Sequence, residues 1–144
     1  MSAEDDVRAA SKQFYAALNR MLNGDAGGIA ETWSHSATAT TMHPRGGRDV
    51  GWSSVGQSFE QFAKLARGGQ VELIDQLIQV AGDMAYEVGV EKGQVSLAGE
   101  TVPIEHRVTN VYGREAGGWK MVHHHTDVSP AMVDLLRRLQ AEKQ

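Results

Sequence analysis

The chain has 144 residues, no cysteine, and a net charge of −4 from 14 basic and 18 acidic side chains. That length favours a single domain over residues 1–144 with enough core to fold unaided, and the absence of cysteine excludes disulfides and thiolate metal sites. The scattered basic residues leave no footprint for nucleic acid, no apolar run approaches the ~20 residues that span a bilayer, and the acidic start Glu4-Asp5-Asp6 is unlike a secretory signal, so a cytoplasmic protein is expected.

Residues 3–23 carry Val7, Ala10, Phe14, Ala17, Leu18, Met21 and Leu22 at steps of three and four, one apolar helical stripe that stops at Asn23-Gly24. Asp25 is placed to cap a short second helix whose apolar face is Ile29, Ala30 and Trp33. The Thr-rich residues 37–43 favour a strand, Pro44 holds His43 extended, and Gly46-Gly47 turns the chain. Residues 52–66 return to the helical period through Val55, Phe59, Phe62, Ala63 and Ala66, with Gly68-Gly69 as the stop.

Strands dominate the remainder. Residues 70–81 are β-branched and apolar, and Met84, Tyr86, Val88 and Val90 alternate with Ala85, Glu87, Gly89 and Glu91 as in a half-buried strand. Further strands are predicted over 101–113 and 119–127, with turns at Gly82-Asp83, Ala98-Gly99 and Gly117-Gly118. Ser129 then caps a last helix with Pro130 in its first turn and an apolar stripe of Met132, Leu135, Leu136 and Leu139. Helices, a strand, a helix and four strands joined by short turns give an α+β fold with the helices on one face of an antiparallel sheet.

Three stretches carry a family resemblance. Phe14-Tyr15-Ala16-Ala17-Leu18-Asn19 with Gly24-Asp25 looks like the first helix, and its exit, of the nuclear-transport-factor-2-like superfamily. Pro103-Ile104-Glu105-His106 resembles a strand of its ketosteroid isomerases. Trp119-Lys120-Met121-Val122-His123-His124-His125-Thr126 is similar to the last strand of its SnoaL-like members and of the calcium/calmodulin-dependent protein kinase type II association domain. The resemblance implies a cystatin-like cone: a curved antiparallel sheet wrapped around N-terminal helices, enclosing a pocket, with the other face of the sheet forming a homodimer. It fixes no activity, because one fold hosts many.

The candidate site residues follow. His43 precedes a proline, as the isomerase base does, and an imidazole moves protons near neutral pH. By the resemblance, Glu105 falls where the isomerase keeps a protonated acid, but Arg107 two residues on shares its strand face and favours an ionised Glu105. The isomerase's oxyanion tyrosine aligns with Phe14, so that donor is lost or displaced onto neighbouring Tyr15. His123 and His125 alternate on one face and are assigned to the pocket; a one-residue bulge would turn His124 and Thr126 inward instead. A His-x-His pair is half a metal site, but no local motif supplies further ligands, and neither metal nor cofactor is expected.

Tyr15, Trp52, Tyr86, Arg107 and Thr109 are the candidate ligand contacts, with Arg107 able to hold a carboxylate bidentately. Two functions stand. One is a small-molecule pocket or association module, with Arg107 there to hold an acid as ligand; the other is an isomerase- or cyclase-type enzyme on an apolar carbonyl compound, with His43 as base and Glu105, His123 or His125 polarising the oxygen.

Overall fold

A computed structural model describes residues 2–142. Helix α1 (Ala3–Leu22) opens with a capping box. The Ser2 hydroxyl accepts from the Asp5 amide at 3.1 Å and the Asp5 carboxylate accepts from the Ser2 amide at 3.4 Å, satisfying donors that a helix start leaves unpaired. Its stripe buries Val7, Phe14, Ala17, Leu18 and Met21, and the full burial of Phe14 alone is worth roughly 1.5–3 kcal/mol of transfer free energy. Asp25 does not cap α2 (Ile29–Thr32), which has no side-chain cap. Its carboxylate instead accepts from the Gly27 amide and the Arg20 guanidinium, closing the turn.

Strands β1 (Thr40–Met42) and β2 (Asp49–Val50) form a hairpin that leads into α3 (Trp52–Leu65). Then come β3 (Ala66–Ala81), β4 (Met84–Leu97), β5 (Glu100–Glu115), β6 (Gly118–Thr126) and α4 (Pro130–Glu142). The strands make one curved sheet in the order β2-β1-β6-β5-β4-β3. It is mixed rather than antiparallel throughout. β3 to β6 are successive antiparallel neighbours, but β1 lies beside β6 in the parallel direction, reached by the long crossover through α3 and the other strands.

Gly68 and Gly69 do not terminate α3 but lie inside β3 at a register shift. There β3 runs so close to β4 that a Cβ on Gly93 would stand 1.9 Å from the Gln70 carbonyl oxygen, and one on Gly69 2.5 Å from that of Gln94. Only glycine fits those positions.

α1 and α3 cover the inner face of the sheet, which is not simply apolar. On β4 the inward residues include Ala85, Glu87 and Glu91, while Met84 and Tyr86 point outward. On β5 they are Val102, Ile104, His106, Val108, Asn110 and Tyr112.

On β6 the alternation breaks. Val111 pairs with His123 but Tyr112 pairs with Met121, so Val122 is an extra residue in a bulge. Trp119 and Met121 face inward before it, His124 and Thr126 after it. None of the described helices is long and apolar enough to cross a membrane.

Candidate active site

A cavity of about 60 Å³ lies between α1, α3, the inner face of the sheet and the start of α4. Leu18, Met21, Phe59, Phe62, Ile104 and Met132 make its walls apolar, and the polar side chains on it are His43, Arg45, Ser58, Glu91, His106 and His124. The volume holds a few waters or the head of a small ligand.

His43 follows β1, and the β1–β2 hairpin folds Asp49 back over it. His43 Nε2 lies 3.0 Å from Asp49 Oδ2 and 2.9 Å from the Thr41 hydroxyl, which itself donates to Asp49 at 3.1 Å. Thr41 therefore accepts from the imidazole, and both contacts place the proton on Nε2. Nδ1 carries the lone pair and has no hydrogen-bond partner among the described residues.

Ser58 from α3 donates to the same carboxylate at 2.6 Å and Ser54 at 3.3 Å. Burial acts to raise Asp49, but the hydrogen bonds from Ser58, Thr41 and His43 outweigh it and keep the carboxylate ionised. Burial, helped by the Arg45 charge, lowers His43 below its ordinary value against the pull of Asp49, so its imidazole is neutral at pH 7.

A second histidine–carboxylate pair forms the floor. His106 Nε2 on β5 donates to Glu91 Oε1 on β4 at 2.8 Å, and Tyr15 from α1 donates to Glu91 Oε2 at 2.8 Å. Burial alone would raise Glu91; the hydrogen bonds from His106 and Tyr15 hold it below the usual carboxylate range. Burial and the Glu91 charge push Tyr15 well up, so the phenol stays protonated and donates.

His124 on β6 is 3.9 Å from Glu91, and its Nδ1 is 2.6 Å from Asn110 Oδ1. Burial pushes this imidazole down to about 4. It is therefore neutral, with Nδ1–H donating to Asn110. The Asn110 amide in turn donates to Tyr15 (3.0 Å) and to Glu87 (2.9 Å), which also accepts from Tyr112 (2.9 Å) and Gln76 (2.6 Å). The network runs beneath the cavity from His106 to the edge of α1, and it leaves few atoms unpaired. Among the described residues the enclosed side-chain polar atoms without a partner are Trp33 Nε1 and Thr126 Oγ1. The free Nδ1 atoms of His43 and His106 are thus not sealed in, and both rings line the cavity.

The residues singled out from sequence divide between two faces of the sheet. His43 is on the cavity, and Tyr15 stands one hydrogen bond behind it. Trp52 is beside the site rather than on it, its ring stacked on His35 at 4.5 Å. Glu105, Arg107, Thr109, His123, His125 and Tyr86 face the opposite side.

The assignment of His123 and His125 to the cavity is corrected by the Val122 bulge, which shifts the strand by one and brings His124 inward. That of Glu105 and Arg107 is corrected by the parity of β5, where Ile104 and His106 are inward. Arg107 does not pair with Glu105. Its guanidinium donates to Asp127 at 2.9 and 3.1 Å in an exposed fork, which with a bond from the Arg107 amide holds Asp127 down at about 2. His123 accepts or donates a bond of 2.7 Å with Thr40, and its ring is 5.8 Å from that of His125. Tyr86 is 45% exposed.

Asp49, Glu91, His106, Asn110 and Arg45 escaped sequence reasoning, whereas His124 had been named as the inward residue should a bulge occur. A signal existed for the glutamates: Ala85 and Gly89 flank Glu87 on one face, and small residues mark the side that another element covers. Among the described residues no three His, Asp or Glu side chains converge as a metal cage.

The geometry can be set beside known proteins. No curated protein matches the chain. Among solved structures, a provisionally named dehydratase of the NTF2-like family from Streptomyces avermitilis superposes with a TM-score of 0.77 at 24% identity, over 90% of this chain and 97% of the other. A provisionally named calcium/calmodulin-dependent protein kinase type II association domain from Thiobacillus denitrificans gives 0.65 at 26% identity over 85% and 94%. A provisionally named ketosteroid isomerase from Shewanella frigidimarina gives 0.69 at 17% over 88% and 98%. The sequence model of the SnoaL-like domain matches residues 7–132, from the second turn of α1 to the cavity-lining Met132. The chain belongs to the SnoaL-like domain family.

Proposed function

We propose that the cavity is an acid–base catalytic site of the isomerase or dehydratase type, acting on a small and largely apolar carbonyl compound, with His43 as general base. The observation that carries this reading is the His43–Asp49 pair: a neutral imidazole, held at Nε2 by a carboxylate, its ring lining a largely apolar cavity. Base catalysis needs an oriented acceptor whose pKa lies near working pH. Asp49 both fixes the tautomer and stabilises the imidazolium that forms.

In the reaction, Nδ1 takes a proton from the carbon beside the carbonyl, and the electron pair moves into that carbonyl. From a β-hydroxy ketone the resulting enolate expels the hydroxyl group, which leaves as water with a proton returned by the site, giving an enone. An isomerase returns the proton to another carbon instead. Neither step needs an oxidant or reductant. Names of superposed relatives, a dehydratase and an isomerase, agree with this class. The pure binding role loses its anchor, since Arg107 is outside the cavity and engaged by Asp127.

The test follows enone absorbance over a panel of small β-hydroxy ketones. Asp49→Asn and His43→Ala are expected to lower turnover by roughly 10²–10⁴-fold without unfolding the chain. No turnover by the intact protein, or wild-type rates in His43→Ala, overturns the reading.

The partner in this reading is a second copy of the chain, packed on the outer face of the sheet. Leu77, Met84 and Tyr86 there are 51, 48 and 45% exposed, and one superposed relative is named as an association domain. Sedimentation equilibrium reads the state directly.

A further inference from the structure

We propose that the ligand of this cavity carries a carboxylate and that Arg45 holds it. The proposal rests on the cavity being the ligand site, and it adds the chemical class of the molecule that enters.

Arg45 occupies the third position of a turn closed by the Gly46 amide donating to the His43 carbonyl at 2.9 Å, with Pro44 in the second position. The Ser129 amide, at the head of α4, donates to the Pro44 carbonyl at 2.7 Å and pins the turn from outside. The side chain then reaches the cavity, where Nη2 donates to the Ser58 hydroxyl at 3.0 Å. Ser58 passes its own proton to Asp49, the partner of His43. The guanidinium therefore stands a short chain of hydrogen bonds from the proposed base.

No carboxylate pairs with it directly. The arginines at 8, 20, 107, 114 and 138 each lie within 4 Å of a carboxylate; among the described residues Arg45, Arg48, Arg67 and Arg137 do not, and of these Arg45 lines the cavity. A guanidinium has five N–H donors in a planar fork suited to a carboxylate, and a single side-chain hydrogen bond of Arg45 falls within the described residues.

The two carboxylates nearby are already satisfied. Asp49 accepts from His43, Thr41, Ser54 and Ser58, and Glu91 from His106 and Tyr15. The guest is then selected by shape: a planar carboxylate matches the Arg45 fork bidentately. Apart from these groups the walls are hydrocarbon, so the acid sits on an apolar body directed toward Phe59 and Met132.

The experiment is a calorimetric titration of the full chain with phenylacetate, phenylacetamide and inorganic phosphate, in the wild type and in Arg45→Met, Arg45→Gln and Arg107→Met. Phenylacetate is expected to bind the wild type at least roughly tenfold more tightly than its amide or phosphate, the scale of one charge-assisted contact. Arg45→Met is expected to erase that preference while leaving the amide unchanged. Arg107→Met, on the opposite face, is expected to bind as the wild type does. Arg45→Gln keeps a donor for Ser58, so it gives the same answer should Arg45→Met fold poorly.

No preference for phenylacetate in the wild type, or an unchanged preference in the Arg45 variants, overturns the proposal. Preference for phosphate reassigns the site to a different anion and overturns it too. The titration reads binding without turnover, so it fails separately from the catalytic reading.

Discussion

Along β4 the inward and outward residues exchange the places that hydropathy would give them. Glu87 and Glu91 are 0 and 3% exposed, whereas Met84 and Tyr86 are 48 and 45% exposed. The inner face tolerates its carboxylates because each is met by aimed donors from α1, β3 and β5, and an isolated buried charge would be far too costly. The outer face keeps apolar groups at the surface with nothing in the subunit to cover them. One strand thus separates a polar interior built for geometry from an apolar exterior suited to contact. Alternation alone tells that a strand has two faces; it does not tell which is buried.

The strongest way to break this comparison is to remove one inner carboxylate. Glu87→Ala removes a buried acceptor shared by Tyr112, Asn110 and Gln76, and a loss of about 3–5 kcal/mol is expected by urea denaturation. A loss below about 1 kcal/mol would mean that the network is ornamental to the fold.

Acid sharpens the same contrast. His124 takes its proton near pH 4 in the folded chain against an ordinary 6.5. Between those values the unfolded chain binds the proton and the folded one does not, so stability falls as pH falls through that window. The total is on the order of 3 kcal/mol at 1.36 kcal/mol per pH unit. The lowered His43 has the same sign, and lowered Asp49 and Glu91 extend the loss into stronger acid. Denaturation at pH 7, 6 and 5 is expected to show the decline, and His124→Gln is expected to flatten it. A wild-type curve flat from pH 7 to 5 would remove the buried neutral imidazole from the account.

The smallest effect on the subunit is expected outside. Tyr86→Lys touches no inner partner and is expected to change the intrinsic stability of the subunit by less than about 1 kcal/mol, while lowering the sedimentation mass from dimer to monomer. A mass that does not change leaves the apolar outer face without a role in self-association.

Much of the scaffold was legible in the chain. α1, α3 and α4 follow their apolar stripes, and glycines mark the turns between the long strands. His43 was found through Pro44, a local constraint. What stayed hidden depended on distance in sequence. Asp49 reaches His43 only because β1 and β2 pair, and the parallel contact of β1 with β6 joins residues some eighty apart. Glu91 and His106 face each other across a register that no local pattern states. The Val122 bulge has no composition of its own, yet it decides which face every later residue of β6 presents.

That bulge has a consequence for how the site can vary. It falls just before His123-His124-His125, in a strand edge held by the short β1. In the present register the middle imidazole is inward and its neighbours are outward. Were the bulge to slide past the run, His123 and His125 would turn in and His124 out. Either setting shows an imidazole to Glu91 and Asn110, so a slip that would ordinarily invert a strand's chemistry leaves the residue type at this position unchanged.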